Sequence, residues 1–400
     1  MKKMLSCTLA LMMVVSMLAG CSGQAATTAA TTAGVTAAAA TEAATTAAPV
    51  TAAAPETTAA PETAAAPATT AAPSEPATQV FTDSAGRTVE LPYNITKISP
   101  SGALAQIFLV AIAPDLLASK ASEYKGDSAK YIDKSLSQLP TVGQFYGSDD
   151  LNYESIAAIA PEVVIDVGQP MATIVEDMDS ITEKLAIPAI HLTADLRNAP
   201  DVFRTLGKLL HREEKGEELA KFIEKTLAKT DSILEQVGED NKTKALYLTG
   251  DAGLNVIAKT SYHAEIFDYI ADNIAVVDQP ASKGTGNETD LEQISLWDPD
   301  VIFFYYDSVY DTVKDDPTWS HLKAISTGKY YKVPMGPYNW FGTPPSIQRY
   351  LFLLFAAKIL YPEYADYDLQ AEVTEYYKLF YGYDMSDADY KALVNTDDAK

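Results

Sequence analysis

The alternation of apolar and polar positions contains one phrase of fifteen residues that occurs twice, 138 positions apart. The first copy spans residues 151–165 and the second spans residues 289–303. In each copy a glutamate opens a stretch with helical spacing, a proline follows, and an apolar run rich in branched side chains ends the phrase. This order predicts a short helix that leads into a buried parallel strand. The duplication predicts two similar α/β lobes with a cleft between them.

Strand-like and helix-like segments alternate on both sides of the two copies. Two short strand-like runs within residues 81–92, separated by a turn at residues 84–86, predict a hairpin. Further strands are predicted at residues 95–99, 116–119, 163–167, 189–192, 244–248, 274–277, 301–306 and 330–333. Helices are predicted at residues 103–113, 154–160, 173–185, 261–270, 347–360, 369–381 and 387–394. Strands that are separated by helices favour mostly parallel sheets covered by helices.

A long amphipathic segment lies in the middle of the chain. Its apolar side chains recur at three- and four-residue spacing, namely Leu219, Phe222, Ile223, Leu227, Ile233, Leu234 and Val237. The pattern predicts an uninterrupted helix of roughly 36 Å, which can join two lobes stiffly. We therefore expect an N-terminal lobe at residues 80–212, a bridging helix at 213–238 and a C-terminal lobe at 239–400.

The N-terminus has the layout of a secretory signal, with two lysines, an apolar stretch and small residues before Cys21. The end of this segment resembles the bacterial lipobox, which implies that residues 1–20 are removed and that Cys21 is lipidated. A plain signal peptide with an incidental cysteine is the alternative. Both interpretations place the protein outside the cytoplasmic membrane.

Residues 21–79 consist almost entirely of alanine, threonine, proline and glutamate. A segment of this composition cannot bury enough apolar surface to offset its ordering entropy, so we expect a disordered tether. The formal net charge of the whole chain is −24. This charge argues against nucleic acid as a partner, because the phosphate backbone would be repelled.

The sequence contains no pattern that supports catalysis or a bound cofactor. Its four histidines do not have metal-ligand spacing, and each is more consistent with a structural or surface position: His191, His211, His263 and His321. Lipase-type serine motifs, zinc-protease motifs and nucleotide-binding loops do not occur. We therefore expect a protein that is not an enzyme and has no metal or cofactor site.

Aromatic and polar residues are the best candidates for ligand contacts. They follow predicted strand ends or lie in connecting loops, where α/β folds bind ligands, and Tyr and Trp suit a bulky, semi-polar ligand. The alternative is that the aromatic residues fill gaps in the core. The candidates are Ser101, Tyr146, Gln169, Tyr262, Tyr305, Tyr338, Asn339, Trp340 and Arg349.

The lipobox, the hairpin, the two glutamate phrases and the long helix together resemble the substrate-binding lipoproteins of bacterial ABC importers. The similar branch serves ferric siderophores, haem, cobalamin and some oxyanions, and the resemblance extends from Phe81 to the C-terminus. It implies two Rossmann-like α/β lobes with mostly parallel sheets, joined by a single long α-helix, with the ligand between them.

The resemblance also implies the partners and the location. It implies a permease dimer with a cytoplasmic ATPase, and a lipid anchor on the outer face of the cytoplasmic membrane. One glutamate in each lobe contacts arginines of the permease in this family, and the motifs assign these roles to Glu154 and Glu292. Two carboxylates, one per lobe, can engage two cationic sites on a dimeric transporter.

The resemblance does not identify the ligand. An anionic ferric catecholate would require several basic residues in the cleft, and only Arg349, Lys283 and Lys125 are candidates. A corrinoid or another mainly neutral chelate suits a tyrosine-rich cleft better. A small oxyanion such as molybdate, held near Ser101 or Thr285, remains open. We expect a carrier of a small-molecule metal chelate; the alternatives are a stalked surface sensor or adhesin and an extracytoplasmic enzyme.

Overall fold

The structure, a computed structural model, describes residues 76–124, 126–342 and 344–394. The predicted signal sequence, Cys21, most of the predicted tether and Lys125 lie outside these residues. Within them, no helix combines the length and the apolar character that a membrane span needs.

The N-terminal half holds a hairpin and a three-stranded parallel sheet of order β3-β4-β5. The strands are β1 (Thr78–Thr82), β2 (Thr88–Pro92), β3 (Ile98–Pro100), β4 (Val163–Gly168) and β5 (Ala189–Thr193). The helices are α1 (Ala103–Ile112), α2 (Lys134–Ser137), α3 (Tyr153–Ile159), α4 (Ile174–Leu185) and α5 (Ala199–Leu209). Every residue of the central strand β4 is buried, as expected for a strand covered on both faces.

The C-terminal half holds a six-stranded mixed sheet of order β11-β10-β6-β7-β9, with β8 paired to β6. It is reached through helix α6 (Glu213–Val237). Its strands are β6 (Lys244–Thr249), β7 (Asn255–Val256), β8 (Asp272–Asn273), β9 (Asn287–Glu288), β10 (Val301–Phe304) and β11 (Tyr330–Lys332). Its helices are α7 (Glu265–Ile270), α8 (Leu291–Trp297), α9 (Lys323–Ser326), α10 (Arg349–Leu360), α11 (Leu369–Tyr381) and α12 (Asp387–Leu393).

The predicted fold class is confirmed, because two α/β sheets with parallel central strands are joined by the single long helix α6. Helix α6 has 25 residues and packs on α5, α10 and α11. It approaches α5 closely at Gly216, where an added Cβ would lie 2.6 Å from the carbonyl oxygen of Phe203. Helix α11, near the C-terminus, also packs on α1 of the first half. The exact lobe boundaries stay a prediction.

The two copies of the repeated phrase have nearly the same local structure. Helices α3 and α8 have seven residues each, and Asn152 and Asp290 cap them by accepting a backbone N–H of the first turn. Both helices end in a left-handed residue, Ala160 with φ 50° and Asp298 with φ 47°. A proline and one acidic residue then lead into β4 and β10. The repeat predicted from the sequence is therefore a structural repeat.

Two predicted strands are wrong. Residues 116–119 form only one bridge to β3, at Leu117, because Pro100 has no N–H with which to continue the ladder. Residues 274–277 leave the sheet after β8, because β7 occupies the neighbouring edge of β6 at its carboxyl end. The hairpin is confirmed, with Phe81 of β1 opposite Val89 of β2.

Helix α5 was not predicted, although its sequence carries the signal. Apolar residues recur at Val202, Phe203, Leu206 and Leu209, and Pro200 lies in its first turn. The helix is only 11 residues long and is followed closely by α6. The packing of α5 against α6 attaches the bridging helix to the N-terminal half.

Candidate functional site

A row of three buried polar side chains lies at the carboxyl side of the N-terminal sheet. Asp166 of β4 stands opposite His191 of β5 in the parallel ladder, and Ser101 follows β3 directly. His191 Nδ1 lies 2.6 Å from one oxygen of Asp166, and Ser101 Oγ donates to the other oxygen. Because the aspartate separates the serine from the histidine, the imidazole cannot act as base for the hydroxyl as in a hydrolase triad. His191 is thus a structural histidine, as the sequence suggested.

The loop of residues 141–152 joins this row to helix α3. The Phe145 N–H donates to the Ser101 carbonyl oxygen at 2.8 Å, and the Tyr146 hydroxyl donates to Asp177 Oδ2 at 2.8 Å. Burial, the hydrogen bond to Asp177 and the charge of Asp166 raise the pKa of Tyr146 well above its ordinary value. The loop therefore carries Tyr146 to the carboxyl end of the sheet.

A polar cavity of about 400 Å³ opens beside the same loop. Its lining is mainly hydroxyl, amide and backbone groups: Ala121, Ser122, Thr141, Val142, Gly143, Gln144, Ser148, Asp150 and Asn152. A volume of this size falls in the range of small-molecule sites. Since Gln144 packs next to Gly102, the cavity lies close to the carboxyl end of β3.

Tyr262 of the C-terminal half contacts the N-terminal half directly. Its hydroxyl lies near the backbone of Gln169, which follows β4, and this backbone group favours the ionised form of the tyrosine. Burial raises the pKa of Tyr262, and the nearby Arg349 guanidinium opposes this shift. The two predicted ligand contacts Tyr262 and Gln169 thus meet across the cleft.

A second set of contacts ties the halves together at Leu196, in the segment after β5. The Leu196 N–H donates to Glu265 Oε1 at 3.1 Å, and its carbonyl oxygen accepts from the Tyr350 hydroxyl at 2.8 Å. Arg349 forms a 2.6 Å ion pair with the other oxygen of Glu265, and its side chain is only 5% exposed. Arg349 therefore already has a charge partner in the cleft. We call these four residues the Leu196 clamp.

Tyr338, in the loop after β11, makes a third contact between the two halves. Gln106 of α1 donates from Nε2 to the Tyr338 hydroxyl at 3.4 Å, and the Tyr124 and Tyr338 rings lie 5.9 Å apart. The Tyr338 N–H donates to Gln348 Oε1 at 3.0 Å, which fixes the loop. Burial raises the pKa of Tyr338 well above its ordinary value.

The remaining candidates lie at the carboxyl side of the C-terminal sheet, at different depths. Tyr305 is half-buried and packs on Tyr306. Asn339 is buried, and its Oδ1 accepts the backbone N–H of Phe341 at 3.0 Å. Trp340 is 0% exposed and packs edge-on against an aromatic ring of α10. Trp340 therefore fills the core in this conformation, and its contact with a ligand stays a prediction.

Sequence reasoning missed several side chains that shape the cleft: Gln106, Asp166, Asp177, Glu265 and Tyr350. Asp166 had a visible signal, because it is a charged residue inside the apolar run 163–167. The others lie on helices. A polar residue in a helix is normally expected to face solvent, so its presence in the sequence does not indicate a tertiary contact.

The repeated glutamates lie outside the cleft, in the first turns of α3 and α8. Both side chains are exposed, and neither Glu154 nor Glu292 has a hydrogen-bond or ion-pair partner among the described residues. Each carboxylate is therefore free to contact a partner molecule. In the parts of the chain that the structure covers, no three His, Cys, Asp or Glu side chains are grouped as metal ligands.

The fold and the cleft define a bilobal ligand-binding protein. The family model described as periplasmic binding protein matches residues 101–335, and the chain belongs to this family. A search of curated proteins found no match.

Among solved structures, an ABC transporter solute-binding protein from Sulfurospirillum deleyianum is similar, with a TM-score of 0.73 and 30% identity over 79% of this chain and 99% of that one. A periplasmic solute-binding protein from Veillonella parvula has a TM-score of 0.67 and 23% identity over 80% of this chain and 98% of that one. The molybdate-binding protein MolA from Haemophilus influenzae has a TM-score of 0.61 and 19% identity over 77% of this chain and 99% of that one. The last two show the fold alone.

Membership in the family confirms the predicted resemblance and the coarse function. The protein is an extracytoplasmic solute-binding component of an ABC transporter, which works with a permease and an ATPase. The family consists of binding proteins for transport, so the expectation that the chain is not an enzyme is confirmed.

Proposed function

We propose that the protein captures a metal chelate, such as a ferric siderophore, haem or a corrinoid, in the cleft between its lobes and delivers it to the permease of an ABC importer. The observation that carries this proposal is the meeting of Tyr262 with Gln169 and of Tyr338 with Gln106, which encloses the cleft from both lobes. Aromatic faces and amide groups around such a cleft suit a bulky, semi-polar ligand.

Glu154 and Glu292 are the proposed docking residues. They occupy equivalent positions in the two structural repeats, and both are exposed without a partner among the described residues. Charged hydrogen bonds to arginines on two permease subunits would orient the carrier over the translocation path.

Lipidation of Cys21 is the proposed anchor. It would hold the protein at the outer face of the cytoplasmic membrane, and residues 21–79 would act as the tether. The plain signal peptide remains the alternative. Intact mass measurement of the membrane-extracted protein separates the two, because diacylation or triacylation adds a defined mass to a chain that begins at Cys21.

A small oxyanion is the second candidate cargo. MolA has a similar fold and its structure contains molybdate, but this likeness supports the fold alone. Native mass spectrometry of the purified protein with corrinoids, ferric siderophores, haem and molybdate discriminates between the cargo classes. Retention of a chelate supports the proposal, whereas retention of molybdate alone refutes it.

Charge reversal tests the docking roles. In cells carrying Glu154→Lys together with Glu292→Lys, uptake of the chelate should fall to background while the purified variant keeps its affinity. The matched control reverses Glu214 and Glu235, which are exposed on α6 and distant from the repeats in sequence. Uptake that survives in the double variant, or that falls equally in the control, contradicts the docking assignment. A surface sensor or adhesin would show no dependence on the importer.

A further inference from the structure

The cleft is surrounded by an excess of acidic residues. The segments that leave the carboxyl ends of the parallel strands, together with residues 120–124, carry many Asp and Glu residues. On their described parts the basic residues are fewer, namely Lys120, Arg197, Lys283 and Lys314, with Arg349 at the start of α10. The formal net charge of the chain has the same sign, at −24. A cargo that enters this region therefore meets a negative local field in addition to the global one.

Three of these five basic side chains are already neutralised by an ion pair. Arg349 lies 2.6 Å from Glu265, and Lys120 lies 2.9 Å from Glu123. Arg197 binds the two oxygens of one aspartate with both of its terminal nitrogens, at 2.8 Å each. Lys283 and Lys314 are exposed, and within the described ranges they are the two members of this set without an ion pair. An anionic cargo would have to break these pairs or rely on two exposed lysines.

Among the described residues, the acidic side chains Asp166 and Asp177 at the cleft are not paired with a lysine or an arginine. Asp166 is buried and is held by Ser101 and His191, and Asp177 accepts hydrogen bonds from Tyr146 and Thr173. After the larger effect of burial, the charge of Asp166 contributes to the raised pKa of Tyr146 in one lobe and of Tyr262 in the other. The charge of Asp166 thus affects the pKa of a tyrosine in each of the two lobes.

Two buried polar atoms in this region are available for hydrogen bonds to a bound ligand. Asn339 Nδ2 and Ser261 Oγ are buried and have no hydrogen-bond partner within the described part of the chain. Asn339 lies in the loop after β11, and Ser261 is next to Tyr262. A buried donor without a partner costs stability, and an acceptor oxygen on a bound ligand would recover it.

We infer that the cleft selects a chelate of neutral or positive net charge, whose cationic edge lies toward Asp166 and Asp177 and whose oxygen acceptors lie toward Asn339. This inference rests on the proposed chelate cargo and narrows it. It disfavours the multiply anionic ferric catecholates, because their charge would remain uncompensated beside two carboxylates in a partly desolvated cleft.

The test compares chelates that differ in charge but share one scaffold. A ferric trihydroxamate with a pendant primary amine is compared with its N-acetylated form and with its N-succinylated, anionic form. Aquacobalamin, cyanocobalamin and a cobalamin monocarboxylate form a second series. Within any scaffold that binds, calorimetry should give the tightest binding for the cation and the weakest for the anion, with a difference of at least about tenfold. Added salt should weaken the binding of the cation.

Variants assign the preference to the carboxylates. Asp177→Asn should reduce the ratio of cation to anion affinity by about threefold or more. Asp201→Asn is the control, because Asp201 is 79% exposed on α5, and it should leave the ratio unchanged. If a scaffold binds and its anionic form binds as tightly as the cation or more tightly, the carrier function stands and the inference is wrong. If neither scaffold binds in any charge form, the chelate cargo fails and the inference fails with it.

Discussion

The Leu196 clamp predicts a measurable loss of stability when one of its members is neutralised. Glu265→Gln keeps an oxygen that can accept from the Leu196 N–H, but it removes the negative charge opposite Arg349. Tyr350→Phe removes the hydroxyl that donates to the Leu196 carbonyl oxygen at 2.8 Å. Both substitutions preserve side-chain shape, so the effect of packing is small.

The expected magnitudes follow from burial. The Arg349 side chain is 5% exposed and that of Glu265 is 37% exposed, so the pair is intermediate between a buried and a surface ion pair. Breaking a buried pair costs about 3–5 kcal/mol and an exposed pair about 0–1 kcal/mol, so we expect about 1–3 kcal/mol for Glu265→Gln. Tyr350→Phe should cost about 1–2 kcal/mol, because a buried carbonyl loses its donor.

Urea denaturation of the purified protein and amide exchange at Leu196 measure these effects. Glu375→Gln and Tyr364→Phe are the matched controls, since Glu375 is a 52% exposed ion-pair member and Tyr364 is 37% exposed. Both clamp variants act on the backbone of one residue, Leu196, so their combined effect should depart from additivity. Clamp variants that match the controls in both the free energy of unfolding and the exchange of Leu196 would refute the reasoning.

Two further predictions concern the bridging helix α6 and the buried tyrosines. Gly216→Ala should destabilise the protein by about 1–2 kcal/mol, because overpacking against the Phe203 carbonyl outweighs the gain in helix propensity; Lys221→Ala, at a 70% exposed site, should change the unfolding midpoint little. Burial raises the pKa of five tyrosines well above 10.0, so they favour the fold below that pH and oppose it as pH rises: Tyr247, Tyr338, Tyr376, Tyr377 and Tyr381. In an alkaline titration, tyrosinate absorbance should therefore rise in two steps, and the second step, from the buried tyrosines, should coincide with unfolding. If all the absorbance appears in a single step while the protein stays folded, the prediction is contradicted.

The contacts between the lobes bear on how the carrier moves. Helix α6 packs on elements of both halves, α11 packs on α1, and the Leu196 clamp adds hydrogen bonds at the cleft. Because several independent contacts join the halves, we expect only a small change in their relative orientation when cargo binds. Small-angle scattering with and without a bound chelate measures this directly.

Much of the architecture could be predicted from the order of residues alone. Helix α6, the hairpin and the repeated helix-to-strand units depend on periodicity, caps and turns, which act between residues close in the chain. The exposed positions of Glu154 and Glu292 follow from the same local pattern, because each opens a short helix beside an apolar stripe. The family resemblance rests on these local features as well.

Tertiary structure decided what the local patterns left open. Residues 116–119 and 274–277 have strand-like sequences, but a neighbouring proline and a competing strand prevent them from forming a continuous ladder of hydrogen bonds. Trp340, whose contact with a ligand stays a prediction, is buried in the core in this conformation, whereas Asp166 and Asp177 were not among the predicted residues and lie at the cleft. Long-range packing decides whether an aromatic ring lines a cavity or closes it, and whether a charge is neutralised. Both outcomes depend on residues that are distant in the chain and meet only when the protein folds. The local sequence around a residue therefore does not determine them.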